Sequence, residues 1–215
     1  MYYPYIRQQV EKPSRLITVV GHGEVSAEPD IATIQLEINT LSKELHEAQQ
    51  QNTTLMNQVI QSLYQLGIPK VNIQTVFYSV VPSYDYINGE QIFRGYEVTN
   101  AIAVTITDIQ QVGNVIDTAV SNGANRVSNV QFSVENIELH KQEAIAKALQ
   151  NAEMKARTVA NTLHLQMYPQ PIKVMEIENG GQPTAFKAVA MSNSGTPIEG
   201  GQISITSTMR VQYEY

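Results

Sequence analysis

The residues of this chain that could move a proton or hold an ion are few and widely spaced. Its four histidines, His22, His46, His140 and His164, are scattered over 215 residues, and none has a second ligand at metal spacing, so no metal site is predicted. His22 lies in Gly21-His22-Gly23-Glu24, with Glu28 and Asp30 close behind. A histidine among three acids is the one place where an ion or an acid–base pair is worth entertaining. The simpler reading is a turn histidine beside solvated acids in a bend. Gly21-His22-Gly23 lacks the third glycine of a dinucleotide fingerprint, and Val25-Ser26 leads into a strand where a pyrophosphate would need a helix N-terminus. There is no phosphate-loop pattern and no serine elbow. Cysteine is absent, which removes thiolate chemistry, disulfides and sulfur-ligated metals. No catalytic residues and no cofactor are predicted, and the chain reads as a protein that is not an enzyme.

Charge and hydropathy narrow the class further. Apolar residues make up 42% and charged residues 16%, a globular balance, and the formal net charge of −6 leaves no basic stripe with which to displace counterions from nucleic acid. Lys141, Lys147, Lys155 and Arg157 alternate with Glu143 and Glu153, which predicts a solvated helix face. No apolar run reaches the length of a membrane span. The opening MYYPYIRQQVEKPSR has no apolar core of a secretion signal, so the expected location is cytoplasmic.

The elements that would position any site follow from hydrophobic periodicity. Residues 1–14 have none and read as a flexible arm. Leu16–Val20 and Ile31–Ile38 have strand length. In the second, Ala32, Ile34, Leu36 and Ile38 alternate with polar residues, and the two runs are expected to pair as an opening ribbon, with Gly21 and Gly23 at a bend or bulge and Pro29 starting the second strand. Ser42 is a candidate N-cap for a helix over Glu44–Leu66, which Gly67 and Pro69 stop. A strand over Val71–Pro82 precedes SYDYINGEQIFRGYEV, where Asn88-Gly89 predicts a two-residue hairpin turn. That turn pairs Ile87 with Glu90, Tyr86 with Gln91 and Tyr84 with Phe93, which places Tyr84, Tyr86 and Phe93 on one face. Two readings stay open for this aromatic face, a cover for the core edge or a contact surface for another subunit, where tyrosine is favoured.

Gly95–Ile106 is the next strand. Thr107-Asp108-Ile109-Gln110 has the form of a capping box for a helix ending at Asn122-Gly123. Val127–Val134 is a strand, and Ile137–Leu163 the longest helix, with Ile145, Ala148, Leu149, Ala152, Ala156, Val159, Ala160 and Leu163 in one stripe whose alanines allow close approach to a sheet. Ile172–Glu178 and Ile203–Tyr215 are strands, and residues 179–202 between them read as a flexible surface loop or β-excursion. The class is α+β: antiparallel-rich sheets with three helices packed on them, in two sheet-and-helix units over about residues 15–94 and 95–215.

ITVVGHGEVSAEPDIA resembles the opening motif of the SIMPL-domain family, which includes the periplasmic immunogenic or 26 kDa outer-membrane antigen proteins. The blocks LGIPKVNIQT, VPSYDYINGEQIFRGYEVTNAIAVTITD, SNGANRVSNVQFSVEN and EAIAKALQNAEMKARTVANTL follow in the family's order, so the similarity spans about Arg15–Tyr215. The resemblance implies a two-part α+β fold that tends to form larger homo-oligomers, a link to stress, and a place at the cell surface or envelope in bacteria. It implies no active site. The expected function is therefore a non-enzymatic assembly or interaction protein whose partner is a second copy or another protein or peptide, with Tyr84, Tyr86, Phe93 and Tyr96 as candidate contact residues. The alternative is a small-ligand or peptide binding module with a pocket between the two sheet units.

Overall fold

A computed structural model describes residues 15–177 and 196–215, together with the backbone of Thr184–Phe186. The expected arm at residues 1–14 and most of the late loop lie outside the described residues. The strands are β1 (Leu16–Ala27), β2 (Ile31–Ser42), β3 (Ile73–Ile87), β4 (Glu90–Ile106), β5 (Arg126–Ser133), β6 (Lys173–Glu176), β7 (Thr184–Phe186) and β8 (Gln202–Glu214). The helices are α1 (Leu45–Gln65), α2 (Val112–Ser121) and α3 (Ile137–Thr162). The class is α+β, with one antiparallel sheet ordered β1-β8-β6, with β7 also on β8, and a second ordered β3-β4-β2-β5.

The division into units differs from the expected one. One compact unit gathers described residues 15–27, 136–177 and 204–215, the other residues 28–135 and 196–203. A boundary near residue 94 would cut β4, which runs unbroken through that point. The opening ribbon is also corrected, because β1 and β2 belong to different sheets. Neighbouring strands of alike period usually pair, and here the tie is made elsewhere. Asp30 bonds the end of β5, its amide donating to the Ser133 carbonyl at 3.2 Å and its carboxylate accepting from the Glu135 amide at 2.7 Å.

In the larger unit the alternation of β2 does what its period predicts. Ala32, Ile34, Leu36 and Ile38 are fully buried with Ile102, Val104 and Ile106 of β4, under Met56, Val59 and Leu63 of α1 and Val112, Val115 and Ala119 of α2. Helix α1 stops as expected: Gly67 takes φ +86° while the Ile68 amide reaches back to the Leu63 carbonyl and the Gly67 amide to that of Tyr64. Its start is one step later than expected. Ser42 accepts from the Glu44 amide and donates to the Glu47 carboxylate at 2.6 Å, and Glu44 is the flanking residue. Likewise Asp108, and not Thr107, receives the Gln110 amide before α2. Residues 196–203 are held on this unit, where the Thr196 hydroxyl donates to Asp117 at 2.6 Å.

The smaller unit packs α3 on β1 and β8. Ala144, Ala148, Ala152, Ala156 and Ala160 are buried, with Ile145 and Leu149 partly so, while Val159 and Leu163 of the expected stripe stay exposed. Facing them, Ile17, Gly21, Gly23, Val25 and Ala27 point inward along β1. Gly21 and Gly23 are mid-strand and make no bend. A Cβ on Gly21 would collide with the Ala148 carbonyl oxygen and lie 2.8 Å from the Ala152 methyl, and one on Gly23 would strike the Ala144 carbonyl. The two glycines are there so that helix and strand backbones can meet. Beyond α3, His164 takes φ +54°, and the Leu165 amide closes on the Ala160 carbonyl at 2.8 Å. It fills the left-handed stop position usually given to glycine.

Candidate interaction surface

The hairpin is built as its sequence demands. Asn88 and Gly89 both have positive φ, +54° and +88°, as a type I′ turn requires, and the register runs Ile87 to Glu90, Tyr86 to Gln91 and Tyr84 to Phe93. The strands continue as a pair of 15 and 17 residues, and β2 pairs with β4 only as far as Tyr96. Residues 83–95 therefore extend past the end of β2 as a two-stranded projection. An extra residue, Arg94, shifts the register between Ser83 and Tyr84, so that Pro82 faces Tyr96 on the same side as Tyr84 and Phe93.

That shift aligns the rings. Phe93 meets Tyr84 edge-on at 5.6 Å between centroids and Tyr96 at 5.3 Å, the edge-to-face geometry in which ring quadrupoles attract. Tyr96 is half-buried, Tyr84 and Phe93 about 40% exposed, and Tyr86, on the same face nearer the tip, 76% exposed. Since Tyr96 lies opposite Ser42 and Val98 opposite Thr40, this is the core-facing side of the sheet carried beyond α1. Tyr96 closes the core edge, and Tyr84, Tyr86 and Phe93 stand beyond it. The other side of the tip carries Ile87, Ile92 and an exposed Asp85–Arg94 pair at 3.7 Å, a separation at which an ion pair adds little.

The groups around His22 are dispersed by the fold. His22 lies within β1 and not in a turn, with Nδ1 3.3 Å from the Thr208 hydroxyl. The Glu24 carboxylate accepts from Ser204 at 2.6 Å, and Asp30 is engaged by the Glu135 amide. His22, Gly23 and Glu24 line an open depression of about 370 Å³ with Thr206, Ser207 and Thr208. Among the described residues no three His, Asp or Glu side chains gather as metal ligands.

The lysine face of α3 is more than solvated. Lys155 donates to the Val20 carbonyl at 2.7 Å, Lys147 to the Glu24 carbonyl at 3.3 Å, and the Asn151 side chain accepts the His22 amide at 3.1 Å. Strand β1 is at the edge of its sheet, and these are its outward-pointing groups. Four helical residues advance about 6 Å and two strand residues about 6.8 Å, so residues 147, 151 and 155 meet 24, 22 and 20 in step. Helix periodicity alone did not reveal this clasp, since Lys147 also pairs with Glu143 as any surface lysine would.

Residues 17–213 match the family model SIMPL, described as a protein of unknown function (DUF541). The chain belongs to the SIMPL family. It is 30% identical to the uncharacterized protein YggE of Escherichia coli over 71% of its own length, spanning 62% of that relative. It is 27% identical to the 26 kDa periplasmic immunogenic protein of Brucella melitensis, over 96% of the chain and 87% of the relative. It is also 24% identical to the human interleukin-1 receptor-associated kinase 1-binding protein 1, over 99% and 81%. No described helix of this SIMPL chain is long and apolar enough to cross a membrane.

Proposed function

We propose that this SIMPL protein is a non-enzymatic assembly or interaction protein that works through the β3–β4 hairpin. The carrying observation is the projection itself, 13 residues beyond β2 that present Tyr84, Tyr86 and Phe93 about 40% exposed or more. Large aromatic side chains at a free tip lose little conformational entropy on contact and bury much area, which is why they anchor interfaces. The Brucella relative, periplasmic by name, supports an envelope setting, and the family resemblance supports a link to stress. The test is light-scattering mass over a concentration series for the intact chain and for Tyr84→Ser with Phe93→Ser. An assembly that comes apart in the double variant is the expected result, and a single chain throughout would contradict it.

A second reading has its own observation. The depression beside His22 and Glu24 is lined by hydroxyls and suits a small polar ligand. A ligand at 100 times its dissociation constant would stabilise the fold by about 2.7 kcal/mol, and a screen in which no polar ligand raises the melting temperature would remove it.

A further inference from the structure

We propose that β3 pairs edge to edge with β3 of a second copy, antiparallel about a twofold axis near Ser79. This deepens the assembly reading above and rests on it.

The edges of β1, β6 and β5 are guarded by known devices. The edge of β1 is occupied by Lys147, Asn151 and Lys155. Strand β6 is four residues long and begins and ends in a charge, Lys173 and Glu176. Strand β5 carries Arg126 and is kinked at Asn129, φ +56°, where its register with β2 shifts. Strand β3 is 15 residues long, has no charged residue from Ile73 to Val81, and meets no other described strand on its outer side.

The register says which groups that edge offers. The two-residue turn makes Ile87 and Glu90 a hydrogen-bonded pair, and alternation from there points Ser79 and Val81 toward β4 and Tyr78, Val80 and Pro82 outward. The neighbouring ladder agrees, because Glu37 and Asn39 of β2 are bonded by Asn125 on the side away from β4. Pro82 accordingly stands where its missing N–H costs the β3–β4 ladder nothing.

The strand is self-complementary about Ser79. Tyr78 would oppose Val80 of the copy and exchange both N–H···O bonds with it, and its symmetry mate would do the same. On one face Tyr78 meets Val80, and on the other Phe77 meets Val81, both pairs of an aromatic with a β-branched residue, which favour each other across strands. Phe77, Tyr78 and Val81 are each about half exposed, at 50%, 52% and 47%, and self-pairing covers them without opposing like charges. The extra residue Val76 ends the regular edge on one side and Pro82 on the other.

The test uses the full chain with Val80→Pro, which removes one outward amide at a register the fold already fills with Pro82, and Tyr78→Lys, which puts a charge on the edge. Circular dichroism checks that both fold, and mass is read over a concentration series. The intact chain is expected to associate and both folded variants to stay single at the same concentrations. Folded variants that associate as strongly as the intact chain overturn the strand pairing and leave the hairpin reading standing. An intact chain that is single at every concentration overturns both. If that single chain takes up a synthetic Ile73–Val81 peptide, the second copy is overturned in favour of a peptide partner.

Discussion

Along β1, the carbonyls of Val20 and Glu24 and the amide of His22 are met by Lys155, Lys147 and Asn151 of α3, whereas along β3 no described strand meets Tyr78 and Val80 on their outer side. Both strands are long, and both lie at the edge of a sheet. The difference begins in residue size. Gly21 and Gly23 let α3 lie against the backbone of β1, close enough for its side chains to reach over the rim. The helices of the other sheet pack through Met56, Val59, Leu63 and Val115, side chains that hold a helix at a distance, and they cover β2 and β4 while β3 extends past them. An edge is closed where small residues let a helix come near, and left open where large ones fill the gap.

The largest effect is expected where that closeness is removed. Gly21→Val places branched carbons against the Ala148 carbonyl and the Ala152 methyl, neither of which is a flexible side-chain end, and should cost about 3 kcal/mol, read by urea unfolding. On the β3 side, Gly89→Val forces a branched residue to φ +88° and should cost about 2 kcal/mol, with loss of hairpin cross-peaks while α3 signals persist. Asn151→Ala leaves the His22 amide to water, a loss of about 1 kcal/mol that should quicken its hydrogen exchange roughly fivefold.

The smallest effect is a pH dependence confined to the clasped unit. Burial first, and the Glu153 carboxylate second, raise the Tyr213 phenol above its ordinary value near 10. Ionisation is thus harder in the folded chain than in the unfolded one. Stability from this group is fully present below about pH 10 and falls as the pH rises through the folded value. Tyr213→Phe should flatten that alkaline limb in a melting-temperature series, and an unchanged limb would assign it to other groups.

Some of this was legible in the residues and some was not. The hairpin register and the alignment of Tyr84 with Phe93 follow from Asn88-Gly89, because one turn type fixes both. The helices follow from their apolar stripes, and Gly67 as a stop from its place after the last one. The pairing of β1 was not legible, since period two tells a strand which face is buried and not which strand lies beside it. The role of Gly21 and Gly23 escapes the sequence for a related reason: a glycine needed for close packing and one needed for a bend look alike until the facing element is known. That no described strand meets the outer side of β3 was hidden as well, because Thr75-Val76-Phe77-Tyr78-Ser79-Val80-Val81 has the composition of an interior strand.

The most direct test compares the two edges in one experiment, hydrogen exchange of the His22, Tyr78 and Val80 amides in dilute and concentrated protein. His22 is expected to exchange slowly at both concentrations, held by Asn151, while Tyr78 and Val80 exchange fast when dilute and slow down together as copies associate. Tyr78 and Val80 amides that stay equally fast at high concentration would contradict it.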